Sequence, residues 1–368
     1  MNKVLFVTHV NKDPSSGVWK KVLAQRDAFK QLGFSVDLVY ENHNSLIIDS
    51  ESGKAAYPLR HRYFIFYTLS KLITVSYDFI YIRKPHGGLY PLFFSMVISK
   101  VKKTNPLSNI VMEIPTYPYN KEHTGWKGYL SNLLYKLSLL FYRKHIEEIL
   151  YIGEGPDKIY NIKARKISNG VNLERVKCIM AEKKKSEPFI FAGIANLMFW
   201  HGYDRLINSI SNYKGQHAIK CYIVGDSEPE LTRLKALVQE LNVSDRVIFT
   251  GRLIEQQIQE LLKSVNVCVD ALGRHRSGNN FNSSIKSKEY TAMGMPFIKS
   301  HIDDSFLDDD FFVFQVDANE NEIPIDEIIE WYKSLPDDFP LRARLAAEER
   351  FSWEEILRPI FPYVRDQK

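Results

Sequence analysis

The chain has 368 residues, of which 45% are hydrophobic and 25% charged, and a formal net charge of +5. This length suits two domains with a core each, and the composition excludes a disordered chain. The charge is too weak to imply nucleic acid, and no motif of a nucleic-acid reader accompanies it, although an anionic substrate or an anionic membrane surface is compatible with it.

The first seven residues are too soon polar for a signal peptide, and no apolar run is long enough to span a bilayer. Cys178, Cys221 and Cys268 are widely spaced and predict neither a disulfide framework nor a zinc site. A cytoplasmic protein is expected. Residues 4–8 form a continuous apolar run, as a buried parallel strand does. A polar turn leads to Gly17, and Val18, Val22, Phe29 and Leu32 then recur at helical spacing up to Gly33. Residues 36–40 are the next strand, so a doubly wound sheet begins here. The loop lacks the spaced glycines of a dinucleotide fingerprint and the Gly-Lys-Ser/Thr of an ATPase loop. Gly17 either lets a phosphate or sugar approach the backbone or is simple turn chemistry.

An apolar-aromatic stretch at 63–75 follows Arg60, His61 and Arg62. Residues 79–82 are a strand with Arg83 at its carboxyl end, where ligands collect in open α/β sheets. Arg83 is therefore a site candidate, or a solvated strand end. After a helical stretch near 92–102, the strand 110–114 runs into Pro115-Thr116-Tyr117-Pro118-Tyr119. Tyr117 and Tyr119 make a stiff wall for a sugar ring, or a rigid crossover. Residues 126–146 read as one long helix, apolar through Leu130, Leu133, Leu134, Leu137, Leu140 and Phe141 and basic through Lys127, Lys136, Arg143 and Lys144. An interfacial membrane helix has this pattern, and so does a core-facing helix. A core-facing helix is expected, with its basic rim open to lipid head groups.

Residues 166–171 read as a strand ending in an Asn-Gly turn, and a domain boundary is placed near Gly170. Strands at 189–193, 221–226, 247–251 and 265–269 then alternate with helices from about 203, at 229–241 and at 255–264, a second parallel sheet. The loop 196–202 carries Trp200 and His201. From Arg276 a polar loop reaches Ser283-Ser284, good N-cap chemistry, and a short helix ends at Gly294 with Pro296 beyond it. A strand follows at 295–298. Lys286 falls in the first helical turn, and Glu289 three residues later on the same face. A helix N-terminus with a lysine beside it suits a phosphate. A carboxylate one turn deeper suits a sugar diol. Taken alone, Lys-x-x-Glu is more simply a capped surface helix.

Taken together, the two Rossmann-like sheets, Asn169-Gly170-Val171, Val224-Gly225-Asp226, Val247-Ile248-Phe249-Thr250-Gly251 and Lys286-Ser287-Lys288-Glu289-Tyr290 with Gly294 and Pro296 resemble the GT-B glycosyltransferases. Among these the chain is most similar to the large retaining family that includes sucrose synthases and bacterial lipopolysaccharide and capsule enzymes. The resemblance spans nearly the whole chain. It implies two Rossmann-like domains facing across a cleft: an acceptor-binding domain at 1–168, against which the tail 351–368 packs back, and a donor-binding domain at 169–350. It further implies a retaining hexosyltransferase using a nucleotide-sugar, without cofactor or metal, acting on a saccharide or lipid-linked acceptor in surface-polysaccharide synthesis at the inner membrane face.

Carried over by position, Glu289 corresponds to the glutamate that holds the ribose hydroxyls, and Gly17 to the glycine near the donor phosphates. Gly225 and Arg252 line the base, and Ser284 and Ile285 join the donor site at the helix start. The family usually has another glutamate eight positions before Glu289, where Phe281 stands here between Asn280 and Asn282. Asn282 is the candidate for a donor hydroxyl. Ile194 and His201 occupy the places of an arginine and a lysine. The diphosphate charge then falls to Lys286, His201 and Arg276 or Arg205. Arg83, Tyr117 and Tyr119 are expected at the acceptor. The alternatives are a nucleotide-sugar epimerase on the same fold and a non-catalytic partner subunit. Asp308-Asp309-Asp310, with Asp303 and Asp304, reads as a solvated acidic loop rather than a metal site.

Overall fold

A computed structural model of the chain describes residues 2–14, 16–85, 87–118, 126–179, 187–278 and 280–361. It divides into two compact units, Met1–Gly170 with Trp353–Lys368, and Val171–Ser352. The first unit holds β1 (Lys3–Asn11), α1 (Gly17–Gln31), β2 (Ser35–Asn42), β3 (Ser45–Ser50), β4 (Gly53–Pro58), α2 (Ile65–Leu72) and β5 (Phe79–Arg83). It continues with α3 (Phe94–Thr104), β6 (Asn109–Tyr117), α4 (Trp126–Leu139), β7 (Glu148–Gly153), β8 (Lys158–Ile159) and β9 (Ile162–Lys166). Its sheet runs β4-β3-β2-β1-β5-β6-β7-β9-β8. The strands from β2 to β9 in that order are parallel, while β3, β4 and β8 are antiparallel additions at the edges.

The apolar runs explain this sheet. Val4 and Phe6 pack on one face with Trp19, Val22 and Phe29 of α1, while Leu5 and Val7 pack on the other with Phe66, Phe94 and Tyr135. The central strand β1 is thus covered on both sides, as parallel strands require. The hairpins β2–β3 and β8–β9 turn on His43-Asn44 and Tyr160-Asn161, all four at positive φ. Both pairs adopt the left-handed backbone of a tight hairpin turn without a glycine. The helix expected over 126–146 stops at Leu139, and a short 3-10 turn, Arg143–His145, follows it.

The second unit holds β10 (Phe189–Ile194), α5 (Tyr203–Asn212), β11 (Ile219–Val224), α6 (Glu230–Glu240), β12 (Val247–Gly251), α7 (Glu255–Leu262) and β13 (Val267–Val269). After these come α8 (Ile285–Met293), β14 (Phe297–Lys299), β15 (Val313–Gln315), α9 (Ile325–Ser334) and α10 (Phe339–Arg350). Its six-stranded sheet, β12-β11-β10-β13-β14-β15, is parallel throughout. The last helix, α11 (Trp353–Leu357), belongs to the first unit, where Trp353 and Leu357 pack in the α1 core and Phe361 packs on Phe29, Phe34 and Phe79. The strand expected at 166–171 is instead β9, which ends at Lys166, and the one expected at 295–298 is β14, shifted to Phe297–Lys299.

Candidate functional site

In the second unit, β13 ends at Val269 and the next residue, Asp270, is buried at its carboxyl end. The Ala271 amide donates to Asp270 Oδ1 at 2.7 Å, and the Ser287 hydroxyl donates to Oδ2. Lys286 Nζ lies 3.1 Å from Oδ1, and His301 Nε2 lies 3.9 Å from Oδ2. Burial alone would raise this carboxyl, but Lys286, His301 and the hydroxyls of Ser284 and Ser287 outweigh it and hold Asp270 well below the usual carboxylate range. His301 is fully buried, neither ring nitrogen has a hydrogen-bond partner, and burial pushes it down to about 4.

Helix α8 starts from Ser284 as N-cap and stops at Gly294, whose φ of 74° is the left-handed conformation that favours glycine. A Cβ there would also meet the Pro340 carbonyl oxygen at 2.7 Å. Ser287, Lys288, Tyr290 and Thr291 are buried, which turns Ile285, Lys286 and Glu289 to the more open face. The Lys286 side chain is 22% exposed, yet its ammonium is enclosed against Asp270 and makes no hydrogen bond of good geometry. Its donor capacity is therefore largely unused. Asn282 is held before the helix by its amide, which donates to the Ile302 carbonyl at 2.9 Å, and the carbonyl oxygen of the Asn280 side chain is buried without a partner.

His201 lies beside this cluster. Its carbonyl accepts from the Leu272 amide at 2.8 Å, and Gly202 packs so closely on the Gly273 backbone that a Cβ would stand 2.5 Å from the Gly273 nitrogen. His201 Nδ1 accepts from the Met198 amide, so the ring proton sits on Nε2. Burial first, then the Lys286 charge, push His201 down to about 2. The sequence expectation of a cation here is corrected: His201 is a neutral donor.

The other expected site residues lie as follows. Arg276 reaches the same loop, but its fork is occupied by Asp204 at 2.8 Å, Glu320 at 2.5–2.8 Å and the Phe199 carbonyl. Arg205 is buried on the carbonyls of Leu272, Asp317 and Asn321. Both brace loops, because carbonyls and carboxylates of neighbouring segments hold their donors. Gly225 closes β11 onto β10, where a Cβ would lie 2.1 Å from the Ala195 carbonyl oxygen, and the exposed Arg252 pairs with Asp226 at 3.2 Å.

Gly17 opens α1, capped by Ser16, with open space where a Cβ would stand. Arg83 is not a solvated strand end. Its guanidinium is buried and lies 3.4 Å from Glu113, a fully buried carboxylate that also takes Lys21 at 2.7 Å and the donors of Tyr81 and Gln25 at 2.7 Å each. A charge so enclosed demands cations, and Arg83 answers that demand. Tyr117 is partly buried, packing against Tyr151 and Gly155 beside the core of the first unit, and Tyr119 lies outside the described residues.

The acidic loop needs correction too. Asp304, Asp308 and Asp309 are exposed, but Asp303 is buried against Lys288 at 2.8 Å, and Asp310 takes both Nη atoms of Arg350. Lys288 itself is fully buried over the rings of Phe306 and Phe351. Among the described residues no group of three or more His, Cys, Asp or Glu could hold a metal ion. Asp270 and His301 escaped the sequence reading. The available signal for Asp270 was its place directly after an apolar strand.

Residues 178–302, which include Asp270, Lys286, Glu289 and His301, match the family model described as Glycosyl transferases group 1. The whole chain is similar to sucrose-phosphate synthase from Thermosynechococcus elongatus, at 16% identity over 99% of this chain and 98% of that one, with a TM-score of 0.68. It is similar to Anabaena HepE, solved in complex with UDP, at 12% identity over 99% and 100% of the two chains, with a TM-score of 0.65. The catalytic domain of starch synthase IV from Arabidopsis thaliana, bound to ADP and acarbose, matches at 11% identity over 99% of each chain, with a TM-score of 0.68. No curated protein sequence shows significant similarity. The fold is therefore that of the GT-B glycosyltransferases. Within the second unit, residues 178–302 match the Glycosyl transferases group 1 model, and Asp270, Lys286 and Glu289 lie inside that match.

Proposed function

We propose that this protein transfers a hexose from a nucleotide-sugar to a saccharide acceptor, lipid-linked and at the inner membrane face, with retention, in surface-polysaccharide synthesis. The observation that carries the donor half is the α8 N-terminus against Asp270 at the carboxyl end of β13, with Lys286 in its first turn and Glu289 one turn on. Lys286 and the first amides of α8 meet the negative charge that grows on the departing diphosphate. His201 adds an Nε2–H donor. Glu289 accepts the ribose hydroxyls, and Asn282 a sugar hydroxyl. That HepE was solved with UDP and starch synthase IV with ADP supports a nucleoside diphosphate as the bound group.

With these groups the reading needs no resident cofactor, and EDTA should leave turnover unchanged; a loss restored by added magnesium would refute that part. Phe281 in place of the family glutamate favours a second reading, a non-catalytic subunit. Calorimetric titration with UDP, GDP and ADP, followed by release of free sugar from the matching nucleotide-sugar, tests both. Binding with slow hydrolysis supports the transferase. Binding without hydrolysis or transfer supports the subunit. No binding to any of the three defeats the donor site, and conversion of the donor sugar to its epimer would establish an epimerase.

A further inference from the structure

Helix α4 is apolar on both sides. Tyr135, Leu139 and, beyond the helix end, Tyr142 are buried in the core, which satisfies the inner stripe. A second stripe, Leu130, Leu133 and Leu137 at helical spacing with Leu140 and Phe141 in the turn just beyond, stays 40–74% exposed, with Tyr129 at 73% beside it. A helix apolar all round belongs in a buried setting, and a contiguous exposed stripe of this kind marks an interaction face. The neighbouring α3 and the turn before it add exposed Met96 and Leu92.

Charge identifies the partner. The helical stretches of this layer, residues 65–72, 94–104 and 126–146, contain eight lysines and arginines and not one aspartate or glutamate. The whole chain, by contrast, has 49 basic against 44 acidic residues, so the bias is local. At the carboxyl end of α4, Lys136 and Arg143 line a hollow of about 210 Å³ with Leu139, Leu140, Tyr160 and Asn161. Two cations beside leucines fit a phosphate whose chains continue along the apolar stripe. Aromatic and leucine side chains on one face with lysine and arginine at the rim are what a helix lying in a bilayer interface presents.

We infer that this α2–α3–α4 face of the first unit, with α4 in the plane of the interface, is the surface that rests on an anionic bilayer. The inference gives the lipid-linked acceptor of the proposed function its place of encounter and rests on that reading for its purpose, but not for its test. Full-length protein is floated with vesicles of phosphatidylcholine alone and with vesicles that also contain phosphatidylglycerol. Flotation with the anionic vesicles only, weakened by salt, is expected. The double variant Leu137→Ser, Phe141→Ser and the double variant Lys136→Glu, Arg143→Glu should each lose at least tenfold in binding while keeping the melting temperature and the nucleotide titration of the parent. Protein that stays unbound with anionic vesicles while still binding nucleotide overturns the surface and leaves the transferase reading intact. Loss of nucleotide binding with flotation retained does the reverse. Variants that float like the parent overturn the assignment of this face. A parent dimer that ignores vesicles and is split by the apolar variant would assign the face to a second copy instead.

Discussion

Replacing Lys286 with methionine tests the candidate site most directly, because it perturbs both chemistry and stability in a defined way. Lys286 Nζ stands 3.1 Å from a buried carboxylate oxygen of Asp270. At an effective dielectric of about 20 this separation corresponds to a gross attraction of about 5 kcal/mol, and stripping one partner from a buried pair costs about 3–5 kcal/mol. The lower end, about 3 kcal/mol, applies, since Asp270 keeps the Ala271 amide and the Ser287 hydroxyl.

The loss depends on pH through His301. In the parent, burial holds His301 at about 4, below its unfolded value of about 6.5, so its contribution is complete above pH 6.5 and declines as pH falls toward 4. At about pH 5 that decline amounts to about 2 kcal/mol. In Lys286→Met the Asp270 charge is unmatched, His301 at 3.9 Å is the nearest group that can neutralise it, and its pKa rises. The stability gap between parent and variant, about 3 kcal/mol near neutral pH, therefore narrows to about 1 kcal/mol at about pH 5. Urea unfolding at the two pH values measures the gap, and turnover near neutral pH should fall by about 10²–10³-fold. A gap that is constant or widens on acidification, or turnover close to that of the parent, would falsify the assignment.

Gly202→Ala places a Cβ 2.5 Å from the Gly273 nitrogen at a φ of 65°, so the loop carrying His201 must shift; a lower melting temperature and weaker nucleotide binding are expected from a thermal melt and a titration. Glu113→Gln leaves Lys21 and Arg83 buried without their carboxylate and should cost about 3–5 kcal/mol in urea unfolding near neutral pH. Burial opposes the Glu113 charge, but Lys21 and Arg83 hold the group at about 2, so the stability it supplies is present above about pH 4.5 and fades as pH falls toward 2, and the variant should show a flatter acid limb.

Much of the fold was legible because parallel strands are buried on both faces and announce themselves as unbroken apolar runs, as at residues 4–7, 79–82 and 221–224. The hairpins at His43-Asn44 and Tyr160-Asn161 were not, because neither pair contains the glycine that usually signals a left-handed turn. At the site, Lys286 and Glu289 could be placed on one helix face from their spacing alone. Asp270 could not, since its partners Lys286, Ser287 and His301 reach it only through packing. The ion pairs of Arg83 and Arg276 were hidden for the converse reason: the carboxylates that hold them, Glu113, Asp204 and Glu320, are remote in sequence. Asp303 and Asp310 looked solvated beside exposed aspartates because nothing local reveals Lys288 or Arg350.

The enclosed ammonium of Lys286 leads to a last consequence. Its stem is partly exposed while its charged end turns inward to Asp270. A diphosphate arriving at the first turn of α8 must compete with Asp270 for that charge, so the carboxylate sets how much of the lysine's attraction a nucleotide receives. Asp270→Asn removes the competitor while keeping a side chain of the same shape, whose carbonyl oxygen accepts from the Ala271 amide and whose NH2 donates to the Ser287 hydroxyl. Nucleoside diphosphate should then bind several-fold more tightly, because the free charge is directed to phosphate alone. The double variant Asp270→Asn, Lys286→Met should lose that gain, since the gain passes through the lysine. Calorimetric titration of the four proteins closes the cycle. Tighter binding that survives the loss of Lys286 would show that Asp270 repels phosphate directly rather than by holding the lysine back.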